Sequence, residues 1–243
     1  MIKRNYYKVV RVFPDPSSYF YIKNESMSVT RIEFDNSWLN TVNLEYSFDK
    51  VNWTLASSTI RDVPADSFVY FRNTSGTFKT YTYGGCIFMY QNFSIGGDIR
   101  TLFNYTDVEN VTAIPENGFA NPFVLFDESI CIDISNLSFR GITEIGVRGL
   151  YMTFSSYRGT KGIDLRDVTT LGEGALYMLY YGCSNLTEVY APNVSTWDTS
   201  KSQDWLSSVA PTGVVYKPST LDILTNNYSG IPSGWTTQDY PTI

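Results

Sequence analysis

The chain contains no histidine. That absence excludes Ser-His-Asp and Cys-His catalysis, imidazole acid–base chemistry and nearly every catalytic zinc site. Charge is scarce as well: 17% of the 243 residues are charged, with 18 Lys and Arg against 24 Asp and Glu, a net charge of −6. An acidic balance lacks the basic footprint that generic nucleic-acid binding requires. Cysteine is limited to Cys86, Cys131 and Cys183, an odd number set widely apart among small or apolar neighbours. Such a set reads as buried free thiols of a reducing compartment and not as a disulfide framework. No apolar run approaches the ~18 residues that suggest a membrane span. Near the N-terminus Val9-Val10 is followed at once by Arg11, which leaves no core for a signal peptide. A protein of this kind acting outside a cell is expected to leave by a route other than ordinary export. Phosphate loops are missing too, because Gly84-Gly85 and Gly96-Gly97 lack the following lysine and helix.

What is abundant is aromatic: 16% of residues, including 19 tyrosines. The chain is too apolar for disorder and long enough to bury a core. These counts leave a binding or structural protein, or an enzyme working with carboxylates alone.

Residues 1–80 read as β-structure throughout. Runs of β-formers recur at Lys8–Phe13, Tyr19–Ile22, Val29–Phe34, Leu44–Phe48 and Ser67–Phe71, separated by Pro, Asn, Asp and Ser. Strands this short and this closely spaced predict a small β-sandwich. Residues 81–109 read as a connecting segment.

From about residue 110 the sequence repeats itself. Asn136–Gly146 superimposes on Gly162–Gly172 at a shift of 26 residues without a gap, and Leu150–Phe154 falls on Leu176–Tyr180. A third copy at Leu186–Trp197 keeps the same shift, and a looser one, Val111–Phe119, precedes them after an indel. The period lies in the leucine-rich-repeat range. Leu137, Ile163 and Val189 form one apolar column and Phe139, Leu165 and Ala191 a second. Ile142, Val168 and Val194 make a third, and Ile145, Leu171 and Trp197 a fourth. One coil cannot close a core alone, so stacked columns are expected to bury a continuous spine. Strand alternation turns Ser138, Asp164 and Tyr190 outward. The Leu-Tyr-Met segment reads as a short helical turn on the opposite side. Residues 110–197 are thus expected to form a short solenoid and 198–243 its C-terminal cap. In that cap Gly213–Pro218 reads as a strand, and a turn delivers Trp235 onto an apolar surface.

The copies resemble the BspA-like leucine-rich repeats of Bacteroidetes surface proteins, whose phrase Tyr-x-Met-Phe-x-x-Cys-x-x-Leu-Thr is closely matched by Tyr177–Thr187. Leu44–Thr54 is similar to the strand pair that precedes such repeats in proteins of gut Bacteroides and their phages. Ala210–Pro218 and Gly230–Thr236 look like the ending those proteins share. Thr153 and Ser155–Arg158 depart from the Cys-containing phrase. Bacterial members of the family are typically exported adhesins, and phage members are virion appendages. Together with the missing signal core, the resemblance implies a non-enzymatic bacteriophage virion protein, made in the bacterial host cytoplasm. It would be a head or tail fibre or decoration component displaying the repeat for host-surface attachment. An exported Bacteroidetes adhesin and a structural collar protein without a host ligand are the alternatives. The implied partners are other virion proteins (capsid, tail or fibre) through the N-terminal region, and a host-surface glycan or protein. A homo-oligomer is expected, such as the trimers common among phage appendages, with no nucleic acid, membrane, metal or cofactor.

Tyr157, Tyr181, Tyr190 and Trp205, with Asp164 beside them, are the candidate contact residues, because rigid aromatic rings give contact area at low entropic cost. Tyr151 and Trp197 belong to the same group. Each ring has a second reading as packing of the spine or its end. Lys3, Arg4, Lys8 and Arg11 stand without any acid in the first twelve residues. They read either as a docking arm for an acidic neighbour or as lysine protection of an edge strand. Asp127, Glu128, Asp164, Asp167 and Glu188 supply carboxylates, but nothing in their spacing pairs two of them across a glycosidic bond. No catalytic residue is assigned. Sequons such as Asn104-Tyr105-Thr106 and Asn185-Leu186-Thr187 are compositional in so Asn-, Ser- and Thr-rich a chain.

Overall fold

A computed structural model of the chain describes residues 19–35, 39–40, 43–56, 59–74, 78–80, 87–125, 132–223 and 229–241. The first predicted strand, Lys8–Phe13, and the basic residues Lys3, Arg4, Lys8 and Arg11 lie outside them. The protein is mainly β, with one short helix and several sheets. Among the described residues ten strands come first: β1 (Phe20–Asn24), β2 (Thr30–Phe34), β3 (Leu39–Asn40), β4 (Leu44–Ser47) and β5 (Thr54–Leu55), then β6 (Thr59–Val63), β7 (Phe68–Asn73), β8 (Lys79–Thr80), β9 (Ile87–Met89) and β10 (Phe93–Asp98). The helix α1 (Thr101–Asn104) follows.

Alternation explains how the early strands pack. On β1 Phe20, Ile22 and Asn24 are buried while Tyr21 and Lys23 are not, and on β7 Val69, Phe71 and Asn73 repeat the pattern. These strands lie in a six-stranded sheet, and β2, β6 and β9 lie in a four-stranded one. Phe34 of the second meets Phe71 of the first edge to face, with ring centroids 6.1 Å apart. Fully burying one such ring is worth about 1.5–3 kcal/mol before entropy is charged against it. Buried Asn24 joins loops of both sheets, its Nδ2 donating to Ser28 O and Pro64 O, both at 2.9 Å.

Strand content does not stop at residue 80. β9 and β10, within the expected connector, enter the two sheets. β10 is buried at all six positions, so its Phe-Ser-Ile-Gly-Gly-Asp sequence carries no alternation from which a strand could be read. Gly97, at φ +81°, lets the chain pass where a Cβ would stand 2.0 Å from Tyr19 O. Among the described residues nine further strands follow: β11 (Ala113–Ile114), β12 (Phe123–Leu125), β13 (Ile132–Ser138), β14 (Glu144–Ile145), β15 (Lys161–Asp164), β16 (Thr170–Leu171), β17 (Glu188–Tyr190), β18 (Gly213–Lys217) and β19 (Trp235–Asp239). β13 pairs in parallel with β10, so the first full repeat copy begins as an edge strand of the N-terminal sheet. At this junction buried Asp98 and Arg100 pair at 2.8 Å, and Gly141 leaves room for the guanidinium.

Downstream, parallel ladders join residues one repeat apart. β11, β14 and β16 form one and β15, β17, β18 and β19 another. Glu144 faces Thr170 and Glu188 faces Val214, both 26 residues on. β18 therefore continues the column Leu137, Ile163, Val189 with Val215, and all four side chains are buried. The first two members of every expected apolar column are buried, while Val194 and Trp197 of the third copy are only half-buried.

The Leu-Tyr-Met segment is not helical. Arg148, Met152 and Ser156 all have positive φ (52°, 51° and 62°), as do Gly174, Met178 and Gly182 in the next copy. Left-handed residues at every fourth position break a helix and produce a chain of tight turns. Tyr151 N–H and Leu179 N–H close local turns on Arg148 O and Leu176 O. Alternate donors reach the next copy instead, Met152 N–H to Tyr177 O and Met178 N–H to Gln203 O. Side-chain periodicity could not separate this run from a helix, because a four-residue turn repeat and a helical face place apolar residues almost alike. At the near end Thr80 is wholly buried, donating its N–H to Asn117 O and its hydroxyl to Ala120 O.

Candidate functional site

The strand ladder sets four residues in one register: Asp164 opposite Tyr190, Tyr190 opposite Tyr216 and Tyr216 opposite Gln238. The rings of Tyr190 and Tyr216 stack at 4.7 Å and 19°. Arg166 crosses this row. Its guanidinium forks onto Asp164, Nε to Oδ1 at 3.0 Å and Nη2 to Oδ2 at 2.9 Å, and lies 5.0 Å from the centre of the Tyr190 ring. On the other flank Lys161 Nζ is 2.9 Å from Glu188 Oε1 and 5.3 Å from the same ring. Tyr240 completes the face from beyond the ladder. Its hydroxyl donates to Ala191 O at 2.6 Å, and burial raises the phenol above its usual range.

The chemistry of this face is stacking and hydrogen bonding. Both carboxylates, Asp164 and Glu188, are held by a cation, and both cations rest on a tyrosine ring. Contacts of that kind contribute roughly 0.5–2 kcal/mol each, chiefly by fixing orientation. Sequence reasoning had Asp164 and Tyr190 but missed Tyr216, Arg166 and Tyr240. The signal for Tyr216 was present, since it follows Tyr190 at the repeat shift. Tyr240 had none, because β19 departs from that spacing.

The five candidate residues do not form one site. Tyr190 is itself 7% exposed, so its partners cover most of the ring. Tyr181, 40% exposed, stands on the turn run together with Tyr151 and Tyr177, whose rings stack at 4.9 Å. Tyr157 is buried, with its hydroxyl 3.3 Å from Lys161 O. Desolvation, and then the nearby Asp133 charge, drive its phenol well above the usual range. It takes the spine position that Cys183 occupies one copy later. Trp205 is wholly buried, with Nε1 donating to Gly230 O at 2.8 Å. It follows Leu179 at the repeat shift, so it fills the same column with a larger side chain. Trp197 Nε1 donates to Ser229 O and Trp235 Nε1 to Ala210 O, both at 2.7 Å, so all three indoles are tied to carbonyls of this C-terminal region. Asp167 accepts the Gly141 N–H at 2.9 Å, a link between copies.

Comparison with family models, with curated proteins and with solved structures finds no match to this chain.

Proposed function

We propose that the chain is a non-enzymatic virion component of a bacteriophage, a head or tail fibre or decoration protein. In this reading residues from about 110 onward form a short leucine-rich-repeat solenoid of the BspA-like kind, closed by its C-terminal segment and displayed for attachment to the host surface. The observation that carries the solenoid is the shared register of strands and turns. Glu144 pairs with Thr170 on one side of the coil, while Met152 N–H reaches Tyr177 O on the other. The link to phage appendages rests on the resemblance of Tyr177–Thr187 and of the C-terminal phrases.

Two surfaces support a division between anchor and display. β1 and β4 both run antiparallel to β7, which puts the loops that follow them at one end of the sheet. Met27, Val29, Phe48 and Val51 are exposed in those loops, and Leu55 is exposed on β5 at the sheet edge remote from β13. An exposed apolar group of this size suits contact with another virion protein. The row of Asp164, Tyr190 and Tyr216 belongs to a different sheet, the parallel ladder of the repeat, which in this reading is the display side. Buried, unpaired Cys183 fits folding where thiols stay reduced.

Mass spectrometry of purified particles from the phage that encodes the chain tests the reading. Its recovery in stoichiometric amount is expected, and particles deleted for it should adsorb more slowly. Its absence from particles would reject the proposal. Normal adsorption of deleted particles would favour a structural collar without a host ligand.

A further inference from the structure

A recess of about 130 Å³ opens between the second and third repeat copies, lined by Thr170, Leu171, Ser195, Thr196, Trp197 and Asp198 among others. Its origin is a ladder that stops one copy early. Between the first and second copies Thr170 N–H donates to Thr143 O and Gly172 N–H to Ile145 O. The equivalent bonds one copy on would run from Thr196 N–H to Thr169 O and from Asp198 N–H to Leu171 O. Neither forms, although Asn193 N–H still reaches Val168 O just before the gap. The two strands therefore part after Asn193, and Thr196 and Asp198 make no backbone bond to Thr169 or Leu171 across the opening. Their exposed backbone groups stay open to polar partners.

The side chains around the gap match one kind of partner. Trp197 is held by its Nε1 bond to Ser229 O and by the Trp205 ring at 4.9 Å, so its indole is a fixed apolar wall. Asp198 is anchored through Oδ1, which accepts from both the backbone N–H and the hydroxyl of Ser200. Its Oδ2 is left with Lys201 Nζ at 3.8 Å, too far for a strong bond. Thr170, Ser195 and Thr196, which line the recess, are exposed residues that carry hydroxyls. A wall that stacks, carboxylate and ammonium groups that balance, and closely spaced donors and acceptors suit an uncharged ring whose edge bears hydroxyls and whose face bears C–H groups. The recess is smaller than a drug-sized pocket, which limits it to one ring seated partly in solvent and leaves no room for an added peptide strand.

We propose that this recess is a binding subsite for a single neutral pyranose unit, stacked on Trp197 and hydrogen-bonded by Asp198 and the open strand edges. The proposal deepens the attachment reading and rests on it only for the source of the sugar, a terminal residue of a host-surface polysaccharide.

Saturation-transfer NMR on the purified full chain, with a panel of neutral hexoses, N-acetylhexosamines and deoxyhexoses at up to about 20 mM, tests it in the weak-affinity range expected of one ring. At least one sugar should receive saturation on its ring protons and shift the Trp197 indole resonance. Asp198→Asn, which retains an acceptor for Ser200, should weaken binding about tenfold, the scale of one hydrogen bond to a charged group. Trp197→Ala should abolish it. Arg61→Ala, exposed on β6 and remote from the recess lining, should leave it unchanged. A second arm with purified host polysaccharide against free monosaccharide separates surface capture from binding of a free sugar. No transfer to any pyranose, or binding that survives both recess variants, overturns the proposal. That result leaves the virion reading intact if particles contain the chain, whereas sugar binding by a chain absent from particles rejects only the virion reading.

Discussion

The phenol of Tyr180 accepts the backbone N–H of Ile163 at 2.8 Å inside the core. Ile163 lies where β15 and β17 lose register, between the pairs Lys161–Glu188 and Asp164–Tyr190. The extra residue of that bulge would strand an amide, and the tyrosine from the turn run satisfies it. Gly162 is part of the same arrangement, since a Cβ there would stand 2.6 Å from the Tyr180 hydroxyl.

Tyr180→Phe should therefore destabilise the protein although it removes one atom. Leaving a buried N–H unpaired costs about 1–3 kcal/mol. Urea unfolding followed by circular dichroism measures the loss, and amide exchange at Ile163 should accelerate with it. An unchanged midpoint would mean that water reaches the bulge.

The Asp98–Arg100 pair stands at 5% and 7% side-chain exposure where the N-terminal sheet passes into the repeats. Asp98→Asn should cost about 3 kcal/mol, because it leaves the buried guanidinium with only the more distant Glu109 carboxylate, 3.8 Å away, as counter-charge. Gly141→Ala should weaken the same place, since its backbone is left-handed and its new methyl would sit 2.9 Å from Arg100 Nη1. Thermal unfolding of both variants checks this, and protease sensitivity near residue 98 should rise in each.

Among the described residues Trp205 supplies the largest wholly buried side chain. Truncation to alanine removes its packing and its bond to Gly230 O, an expected loss of about 3–5 kcal/mol. Trp205→Phe should recover most of the packing but not the hydrogen bond. Denaturant titration of the two variants separates these contributions.

Burial pushes the Cys183 thiol from 9.0 up to about 12. The folded state thus holds this proton more tightly than the unfolded chain does. The associated stability is present in full below pH 9 and is lost as pH rises toward 12. In a Cys86→Ser, Cys131→Ser background, Cys183 should resist a thiol reagent at pH 8 and react at once in denaturant. Fast labelling of the folded protein would show that the thiol is open to solvent. Cys183→Ala should flatten the decline of stability between pH 9 and 11.

Much of the repeat was legible because its apolar positions recur with an invariant shift, and stacking demands that like positions meet. Leu137, Ile163 and Val189 could be assigned to one column without any coordinates. The early strands β1, β2 and β7 were legible for a related reason: one face is buried and the other is not, so their side chains alternate. β10 was not, being buried on both faces and carrying two glycines. The candidate surface was half legible. A period tells which residues share a column, but not whether that column ends in solvent, against a partner ring or in the core. Tyr157 and Tyr181 show the difference, the first buried as a spine residue and the second exposed on the turn run.

The amino-acid sequence alone determined the β-rich class, the 26-residue period and the buried residues of the two columns that begin at Leu137 and Phe139. Those depend on composition and local periodicity, which every copy carries within itself. Only the tertiary structure decided that the turn run is left-handed at every fourth residue and that the repeats grow from an edge of the N-terminal sheet. It also placed Tyr190 beneath Arg166 and Lys161, and left the ladder open beside Trp197. Each of these follows from hydrogen bonds and contacts between residues far apart in the chain, whose geometry no local pattern encodes.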